Sequence, residues 1–241
     1  MATMSAMLPG LGASKSSARL VAAAIATLGL ASCASPPPPV VLAPPINAEQ
    51  IALRFETRGL EGPARILFSW SISERDARFS GRGVARIEPP FKARLDLFFG
   101  TGETIARAAL VDDDLRLPPG TPAGIIPPAE LLWGALGIFR PGLETALLGA
   151  DDLGDRRVRL RYLRPDGIEV RYTVKEKRVE VVERVKQGQT VEMVTVEAAA
   201  PSRYPTQATY RNIPAFRELR LTRDSVESVE AYPPDLWELA P

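Results

Sequence analysis

Strict alternation of apolar and polar side chains is the feature that most constrains the fold of this chain. In residues 65–73, Ile66, Phe68, Trp70 and Ile72 alternate mostly with arginine and serine. Because successive side chains of a β-strand point to opposite faces of a sheet, this pattern places one face against a core and the other in solvent. The period of two predicts a mainly β (α+β) protein built on a half-buried antiparallel sheet.

The alternation continues along the chain. Residues 77–88, 91–99 and 104–111 repeat it, and residues 115–117 follow after an acidic turn. Short turns separate these segments, so they predict an antiparallel meander of four or five strands. Two glycines inside residues 77–88, Gly81 and Gly83, predict a bend or a β-bulge.

A second run of strands begins at residue 157. Residues 157–162 and 168–174 predict a hairpin about the turn Arg164-Pro165-Asp166-Gly167. Residues 178–196 predict another, whose glutamate and lysine content is typical of a solvated face and a blunted sheet edge. The segments 208–210, 216–222 and 225–229 complete the strands that we expect.

Two segments show the helical period instead. Residues 49–55 predict a short helix with Asn47 as its N-cap. Residues 129–139 predict a second helix with hardly any polar face, and residues 143–148 extend this helical region. A helix so apolar must be covered. We therefore predict a curved antiparallel sheet or incomplete β-barrel, with a few helices covering its concave face.

The N-terminus predicts export and lipidation. Residues 20–30 form an apolar run behind Lys15 and Arg19, which is typical of a secretory signal peptide. As a helix this run reaches about 16 Å, too short for a hydrocarbon core of about 30 Å. The sequence Leu30-Ala31-Ser32-Cys33 looks like a bacterial lipobox, so we expect cleavage before Cys33 and acylation of that residue with fatty acids such as palmitate.

Cys33 is the only cysteine in the chain, and the alternative to lipidation is an unexplained thiol. A proline-rich stretch after it, which includes Pro36–Pro39, predicts a polyproline II tether. We expect a signal peptide at 1–32, an acylated tether at 33–46 and one half-barrel domain at 47–241. Because Ala34 rather than aspartate follows Cys33, we expect the outer membrane, with the domain facing the periplasm.

Composition excludes several classes of function. The chain has no histidine, which removes the commonest general base and zinc ligand. Without the two bases of the signal peptide, 28 basic groups face 29 acidic groups, so a nucleic-acid partner is not expected. The sequence contains no glycine-rich phosphate loop and no Gly-x-Ser-x-Gly motif. We expect no enzyme activity and no cofactor.

Two acidic clusters raise the question of a bound cation. Asp112, Asp113 and Asp114 form one cluster, and Asp151, Asp152 and Asp155 form the other. Neither has the spacing of an EF-hand loop with its closing glutamate. We therefore interpret both clusters as solvated turns and expect no metal site.

The order of these features resembles the bacterial lipoprotein-carrier family of LolA and LolB. The resemblance is carried by the lipobox, the short helix, the meander containing residues 92–98 and the apolar helix around Leu131-Leu132-Trp133. In that family an incomplete β-barrel covered by helices receives acyl chains, and the membrane-anchored receptor is the nearer analogue. Two features depart from it: the long hairpin at 177–196 and the lack of a short loop with one protruding leucine.

The resemblance implies a non-enzymatic outer-membrane lipoprotein that binds an acyl chain, a lipid or a lipoprotein cargo in an apolar cavity, with a role in lipoprotein or lipid transport. The residues expected to line that cavity are Phe68, Trp70, Phe79, Leu95, Leu97, Phe99, Leu132, Trp133 and Leu136. An ordinary packed core is the alternative interpretation of the same set. It corresponds to a structural or assembly lipoprotein with a filled core and a protein partner in the envelope.

Arginines recur on the polar side of several predicted strands. Arg78, Arg82 and Arg86 lie on one segment, and Arg157, Arg159 and Arg161 on another. Two interpretations are open: these side chains approach lipid headgroups, or they form the solvated face of the sheet.

The lipidation of Cys33 gives the first testable prediction. We expect a Cys33→Ser protein to be exported poorly or to retain its signal peptide, because the lipoprotein peptidase acts only after the thiol is modified. Each buried methylene contributes about 0.8 kcal/mol, so loss of the acyl chains removes stable attachment. Detergent phase partitioning with fatty-acid-analogue labelling measures this. Wild-type protein that stays aqueous and unlabelled contradicts it.

Overall fold

The computed structural model describes residues 46–56, 62–121, 124–199 and 202–239. The predicted signal peptide, Cys33 and the tether up to residue 45 lie outside these residues and stay predictions. Within them, no helix is long and apolar enough to cross a membrane.

Two α-helices, twelve strands and one short 3-10 helix make up the described residues. In chain order they are α1 (Ala48–Glu56), β1 (Ala64–Glu74), β2 (Ala77–Glu88), β3 (Lys92–Phe99), β4 (Thr104–Val111), β5 (Asp114–Arg116), α2 (Ala129–Ala135), β6 (Ala146–Gly154), β7 (Arg157–Leu163), β8 (Glu169–Lys175), β9 (Arg178–Lys186), β10 (Gln189–Glu197), β11 (Gln207–Asn212), β12 (Arg217–Ser228) and the 3-10 helix (Pro234–Trp237).

The twelve strands form one antiparallel sheet in the order β5-β4-β3-β2-β1-β12-β11-β10-β9-β8-β7-β6. The first five strands are the predicted meander, and β12 pairs with β1 to join it to the second run of hairpins. The sheet is open, with β5 at one edge and β6 at the other. These features confirm the predicted fold class.

One face of the sheet is buried, as the alternation predicts. Ile66, Phe68, Trp70 and Ile72 of β1 are all buried. The buried cluster continues through Leu95 and Leu97 of β3 on one side and through Leu160 and Tyr172 of β7 and β8 on the other. We call this side the covered face and the opposite side the outer face.

The helices occupy different parts of the structure. Helix α2 packs against β9, β10 and β11, and α1 packs against β6. The amide of Gln50 donates to Oδ1 of Asn47 over 3.0 Å, which confirms the predicted N-cap of α1. The C-terminal 3-10 helix contacts β3 and β4.

Two predictions about the helical region are wrong. Helix α2 ends at Ala135 rather than at residue 139, and Gly137 adopts a φ of +77° that a continuing helix does not allow. Residues 143–148 are not helical, because β6 starts at Ala146 and pairs with β7, Leu147 lying opposite Tyr162. Strand pairing supplies the backbone partners that a helix would have supplied internally.

The acidic residues of β6 are also placed differently from the prediction. Asp151 and Asp152 lie within β6, and the turn falls at residues 155–156. Asp151 forms an ion pair with Arg161 at 3.3 Å. This cross-strand pairing explains why a polar segment forms a strand.

The hairpin at residues 178–196 is not at a sheet edge. Its strands, β9 and β10, lie between β8 and β11. Their charged side chains suggested an edge, but Val182 and Val194 of the same strands are fully buried on the covered face. The edge strands are instead β5, which has three residues, and β6, whose pairing with β7 is interrupted by two register shifts.

The glycines of β2 do not form the predicted bulge, because β2 pairs with β1 and β3 in regular register there. They make room for aromatic rings instead. A Cβ on Gly81 would lie 1.9 Å from the carbonyl oxygen of Phe98 and 2.7 Å from the Trp70 ring, and a Cβ on Gly83 would lie 2.3 Å from the Phe68 ring.

This close packing predicts that Gly81→Ala destabilises the protein. The added methyl group collides with backbone that cannot move without breaking the β2–β3 pairing, so we expect a loss of about 1–3 kcal/mol or more. Gly100→Ala is the control, since a Cβ there meets nothing within 4 Å, and its effect should stay within about 0.5 kcal/mol. Urea unfolding followed by tryptophan fluorescence measures both. Equal stability of the two variants contradicts the prediction.

Candidate functional site

The candidate site lies where α2 packs on the covered face. Leu131, Leu132 and Trp133 of α2 are fully or almost fully buried. Contact with the sheet is close, since a Cβ on Gly134 would lie 2.5 Å from a methyl carbon of Val182 on β9. Glycine at this position lets the helix backbone approach the strand.

Most of the residues predicted to line a cavity are buried. On the strands these are Phe68, Trp70, Leu95 and Leu97, and near α2 they are Leu132, Trp133 and Leu136. Phe99 is half-buried, its ring 6.0 Å from that of Trp70. Phe79 is 51% exposed, near the start of β2 and opposite Ile72.

A small cavity lies between the end of α2 and the first strands. Its volume is about 30 Å³, enough for a few water-sized spheres and far below the roughly 300 Å³ of a small-molecule pocket. It is lined by Ile66, Phe68, Ala85, Leu95, Ala135, Leu136, Pro205, Thr206, Gln207, Ala208, Leu221 and Arg223. Of the predicted set, only Phe68, Leu95 and Leu136 surround it.

Arg223 is a cavity residue that the sequence prediction missed. It lies on β12 opposite Phe68, on the same face as Leu219 and Leu221. Its guanidinium group donates to Oγ of Ser202 and to the carbonyl oxygen of Tyr204, both over 2.6 Å. The signal was present, because Arg223 continues the alternating row of leucines as a charged residue where an apolar one is expected.

A buried ionic cluster ties the start of α2 to the sheet. We call it the Glu130 cluster, and its members are Glu130, Arg164, Arg184, Glu192 and Tyr210. Oε1 of Glu130 lies 3.0 Å from Nε of Arg184, and Oε2 lies 3.3 Å from a guanidinium nitrogen of Arg164. Arg184 also pairs with Glu192, so it bridges two carboxylates.

Tyrosines complete the polar contacts beneath α2. The hydroxyl group of Tyr210 donates to Glu192 over 2.5 Å, and burial, followed by this hydrogen bond, raises the pKa of Tyr210. The hydroxyl group of Tyr172 donates to the carbonyl oxygen of Arg140 over 2.6 Å. Burial raises its pKa well above the ordinary value, so both tyrosines remain neutral donors at neutral pH.

Arg140 connects the segment after α2 to the turn between β4 and β5. It lies 3.2 Å from Asp112 and 3.3 Å from Asp113, and its guanidinium group stacks over the Phe91 ring at 4.1 Å. Nε1 of Trp133 donates to the carbonyl oxygen of Asp112 over 2.7 Å. The acidic cluster therefore holds α2 in place.

The described residues contain no group of three or more acidic, histidine or cysteine side chains that could hold a metal ion. What the arrangement offers is an apolar interior with a polar border. The Glu130 cluster lies at the start of α2, and Arg223 lies beside the cavity near the other end of the helix. Such a border suits an amphiphile whose apolar part enters while its polar part stays near solvent.

An open curved antiparallel sheet with helices against one face defines the architectural class of this chain. The sequence matches no family model and no curated protein. Among solved structures it is similar to a LolA superfamily protein from Nitrosomonas europaea, with 11% identity, a TM-score of 0.53 and coverage of 80% of this chain and 98% of that one. This similarity confirms the predicted resemblance at the level of the fold.

Another similar structure is a putative outer membrane lipoprotein-sorting protein domain from Vibrio parahaemolyticus. It shares 11% identity with this chain, and the alignment covers 80% of this chain and 97% of that one with a TM-score of 0.48.

The Glu130 cluster predicts a large effect for one substitution. Arg184→Met leaves Glu130 with its longer contact to Arg164 and Glu192 without its guanidinium partner, so we expect a loss of about 3–5 kcal/mol in the free energy of unfolding. Arg161→Met is the matched control, because its pair with Asp151 is partly exposed and should contribute less than about 1 kcal/mol. Chemical denaturation measures both variants, and similar losses would show that the cluster does not hold α2.

Proposed function

We propose that the protein is a non-enzymatic lipoprotein of the cell envelope that binds an acyl chain between α2 and the covered face. The observation that carries the proposal is the apolar cavity at the junction of α2 with β1, β2 and β3. It is a gap in the packing between the end of the helix and the sheet. The fold is similar to that of a LolA superfamily protein, and the acyl-chain carriers that the sequence resembles support the proposal by analogy.

Binding requires that α2 move away from the sheet. The cavity of about 30 Å³ does not hold an acyl chain, so the chain must replace contacts that α2 makes with β9, β10 and β11. The side chains exposed by that movement include Val182 of β9 and Val194 of β10, both apolar and fully buried. An acyl chain would keep them out of water as the helix does.

The cavity lies beside polar groups. Arg223, Thr206 and Gln207 line one side of it. A ligand that enters here places its apolar end against Phe68 and Leu95 and its polar end near Arg223. This arrangement suits a lipid or the acylated end of a lipoprotein better than a plain hydrocarbon.

Acylation of Cys33 and residence at the periplasmic side of the outer membrane belong to the same proposal. The lipobox and the proline-rich tether support them. An anchored domain with an acyl-binding site would exchange lipid or lipoprotein cargo with its own membrane.

A second candidate is a structural or assembly lipoprotein that docks onto an envelope protein and keeps a filled core. The specific observation in its favour is the small volume of the cavity, about 30 Å³. Protein interiors are normally packed without larger voids, and the Glu130 cluster and Arg140 hold α2 closed. The two candidates therefore differ in whether α2 opens.

A disulfide between α2 and β9 tests this difference. Built on Gly134, a Cβ would lie 3.3 Å from the Cβ of Val182, close to the 3.5–4.5 Å of natural disulfides. In a Cys33→Ser chain, Gly134→Cys with Val182→Cys should therefore lock the helix when oxidised. We expect a fluorescent palmitate analogue to bind the reduced protein and to bind the oxidised protein at least about tenfold more weakly.

Val182→Cys alone is the control, because it offers no partner thiol and should bind equally well under both conditions. If the palmitate analogue binds the locked and unlocked forms equally, or binds neither, the filled core is the better description. Reversal of the effect by a reductant shows that loss of binding comes from the disulfide and not from the substitutions.

A further inference from the structure

Positive charge is concentrated on the outer face of the first five strands. Their outward positions carry eight bases and three acids, and the register of each pair of strands places these side chains on one side. The bases are Arg65, Arg78, Arg82, Arg86, Lys92, Arg94, Arg107 and Arg116, and the acids are Glu88, Asp96 and Asp114. We call this surface the basic face.

The outer face of β7 and β8 differs in its charge balance. Five bases there form ion pairs with five different acids. The pairs are Arg157 with Glu180, Arg159 with Glu183, Arg161 with Asp151, Arg171 with Glu169 and Lys175 with Asp155. The outer face of β7 and β8 therefore has an acid for every base, whereas bases outnumber acids on the basic face.

The centre of the basic face is a single buried carboxylate shared by three arginines. Asp96 on β3 lies 2.5 Å from Arg86, 3.2 Å from Arg94 and 3.7 Å from Arg107. Arg86 and Arg94 are direct cross-strand partners, and like charges in that position repel each other. One carboxylate does not neutralise three guanidinium groups, so the cluster keeps two positive charges.

Some arginines of the basic face have structural partners. Arg94 donates to the carbonyl oxygen of Leu236, Arg116 donates to that of Trp237, and Arg65 pairs with Glu227. The first two contacts keep the C-terminal segment, which carries Asp235 and Glu238, on the outer side of β3 and β4. The part of the basic face left open to a partner is therefore formed by Arg78, Arg82, Arg86 and Arg107.

The remaining arginines are accessible. Arg78 and Arg82 are exposed, and neither pairs with a carboxylate of the described residues. The side chain of Arg107 is 49% exposed and that of Arg86 is 27% exposed. Both contact the carboxylate of Asp96, so their guanidinium groups lie close together. Each guanidinium group has five N–H donors and uses only some of them on Asp96.

We infer that the basic face docks on the surface of an anionic phospholipid bilayer, with headgroup phosphates bound between Arg86 and Arg107 and beside Arg82. Guanidinium groups bind phosphate oxygens in pairs, with more geometric specificity than lysine. The proposed anchor at Cys33 favours this partner, because the predicted polyproline II tether of about 13 residues would reach roughly 40 Å and so keep the domain near a bilayer. The inference goes beyond acyl-chain binding, since it concerns the opposite face of the sheet.

Vesicle binding by residues 33–241 with Cys33→Ser, the chain expected after signal cleavage, tests the inference without a contribution from acyl groups or from the apolar signal peptide. We expect it to co-sediment with vesicles of phosphatidylethanolamine and phosphatidylglycerol at low salt, and far less with phosphatidylcholine vesicles. Each arginine near an anionic surface contributes about fivefold in affinity. We therefore expect a triple variant, Arg78→Gln/Arg82→Gln/Arg107→Gln, to bind about a hundredfold more weakly. Arg86 and Arg94 remain paired with Asp96 in this variant.

Arg157→Gln, Arg159→Gln and Arg161→Gln combined form the control, since they remove the same charge from the outer face of β7. We expect this variant to bind within about threefold of the parent chain. Thermal unfolding checks that each variant is folded, and the single variants Arg107→Gln and Arg157→Gln repeat the comparison if a triple variant unfolds early.

Three outcomes would overturn the inference. The first is equal weakening of binding by both triple variants, and the second is equal binding to both kinds of vesicle. The third is stabilisation of the protein by inorganic phosphate without vesicle binding, measured at constant ionic strength. A rise in the unfolding temperature of the parent but not of the Arg78/Arg82/Arg107 variant, without vesicle binding, would show a site for free phosphate. None of these outcomes bears on the acyl-chain proposal, because that site lies on the covered face.

Discussion

The burial of one sheet face under a helix of seven residues is the constraint on which the rest of this structure depends. The sheet does not close on itself, so its apolar face needs a cover, and each large side chain kept from water contributes about 1.5–3 kcal/mol. Helix α2 is the main cover over β9, β10 and β11. Ion pairs of Glu130 fix its position at one end, and ion pairs of Arg140 fix it beyond the other end. Polar contacts therefore hold the apolar surface of the helix against the sheet.

The sequence predicted the strands well because alternation is a local property. The predicted bounds of β2 and β4 agree with the structure at both ends. The errors came from contacts distant in sequence. The spacing of apolar residues in 143–148 also fits a helix. Pairing with β7 is what makes the chain from Ala146 onward the strand β6. The charges of β9 and β10 suggested an edge, whereas the buried face of these strands carries valine.

The candidate site was predictable in kind but not in detail. Alternation identified Phe68, Leu95 and the apolar helix with Leu136 as parts of one interior. Which of these residues surround a cavity depends on how the chain turns at Gly137 after α2 and on the position of β12 between β1 and β11. The role of Glu130 was equally hidden, because its partners lie on turns and strands more than thirty residues away in the chain.

The pairing of β1 with β12 has a consequence for the order of assembly. These neighbours at the centre of the sheet join residues as far apart as Arg65 and Glu227, 162 positions along the chain. During synthesis the meander and the later hairpins can form from local contacts, but each leaves an unpaired strand until the last strand emerges. Contacts so distant in sequence slow folding and prolong the exposure of strand edges. A chain truncated before β12 should therefore yield two separate sheets prone to aggregation rather than a smaller version of the domain.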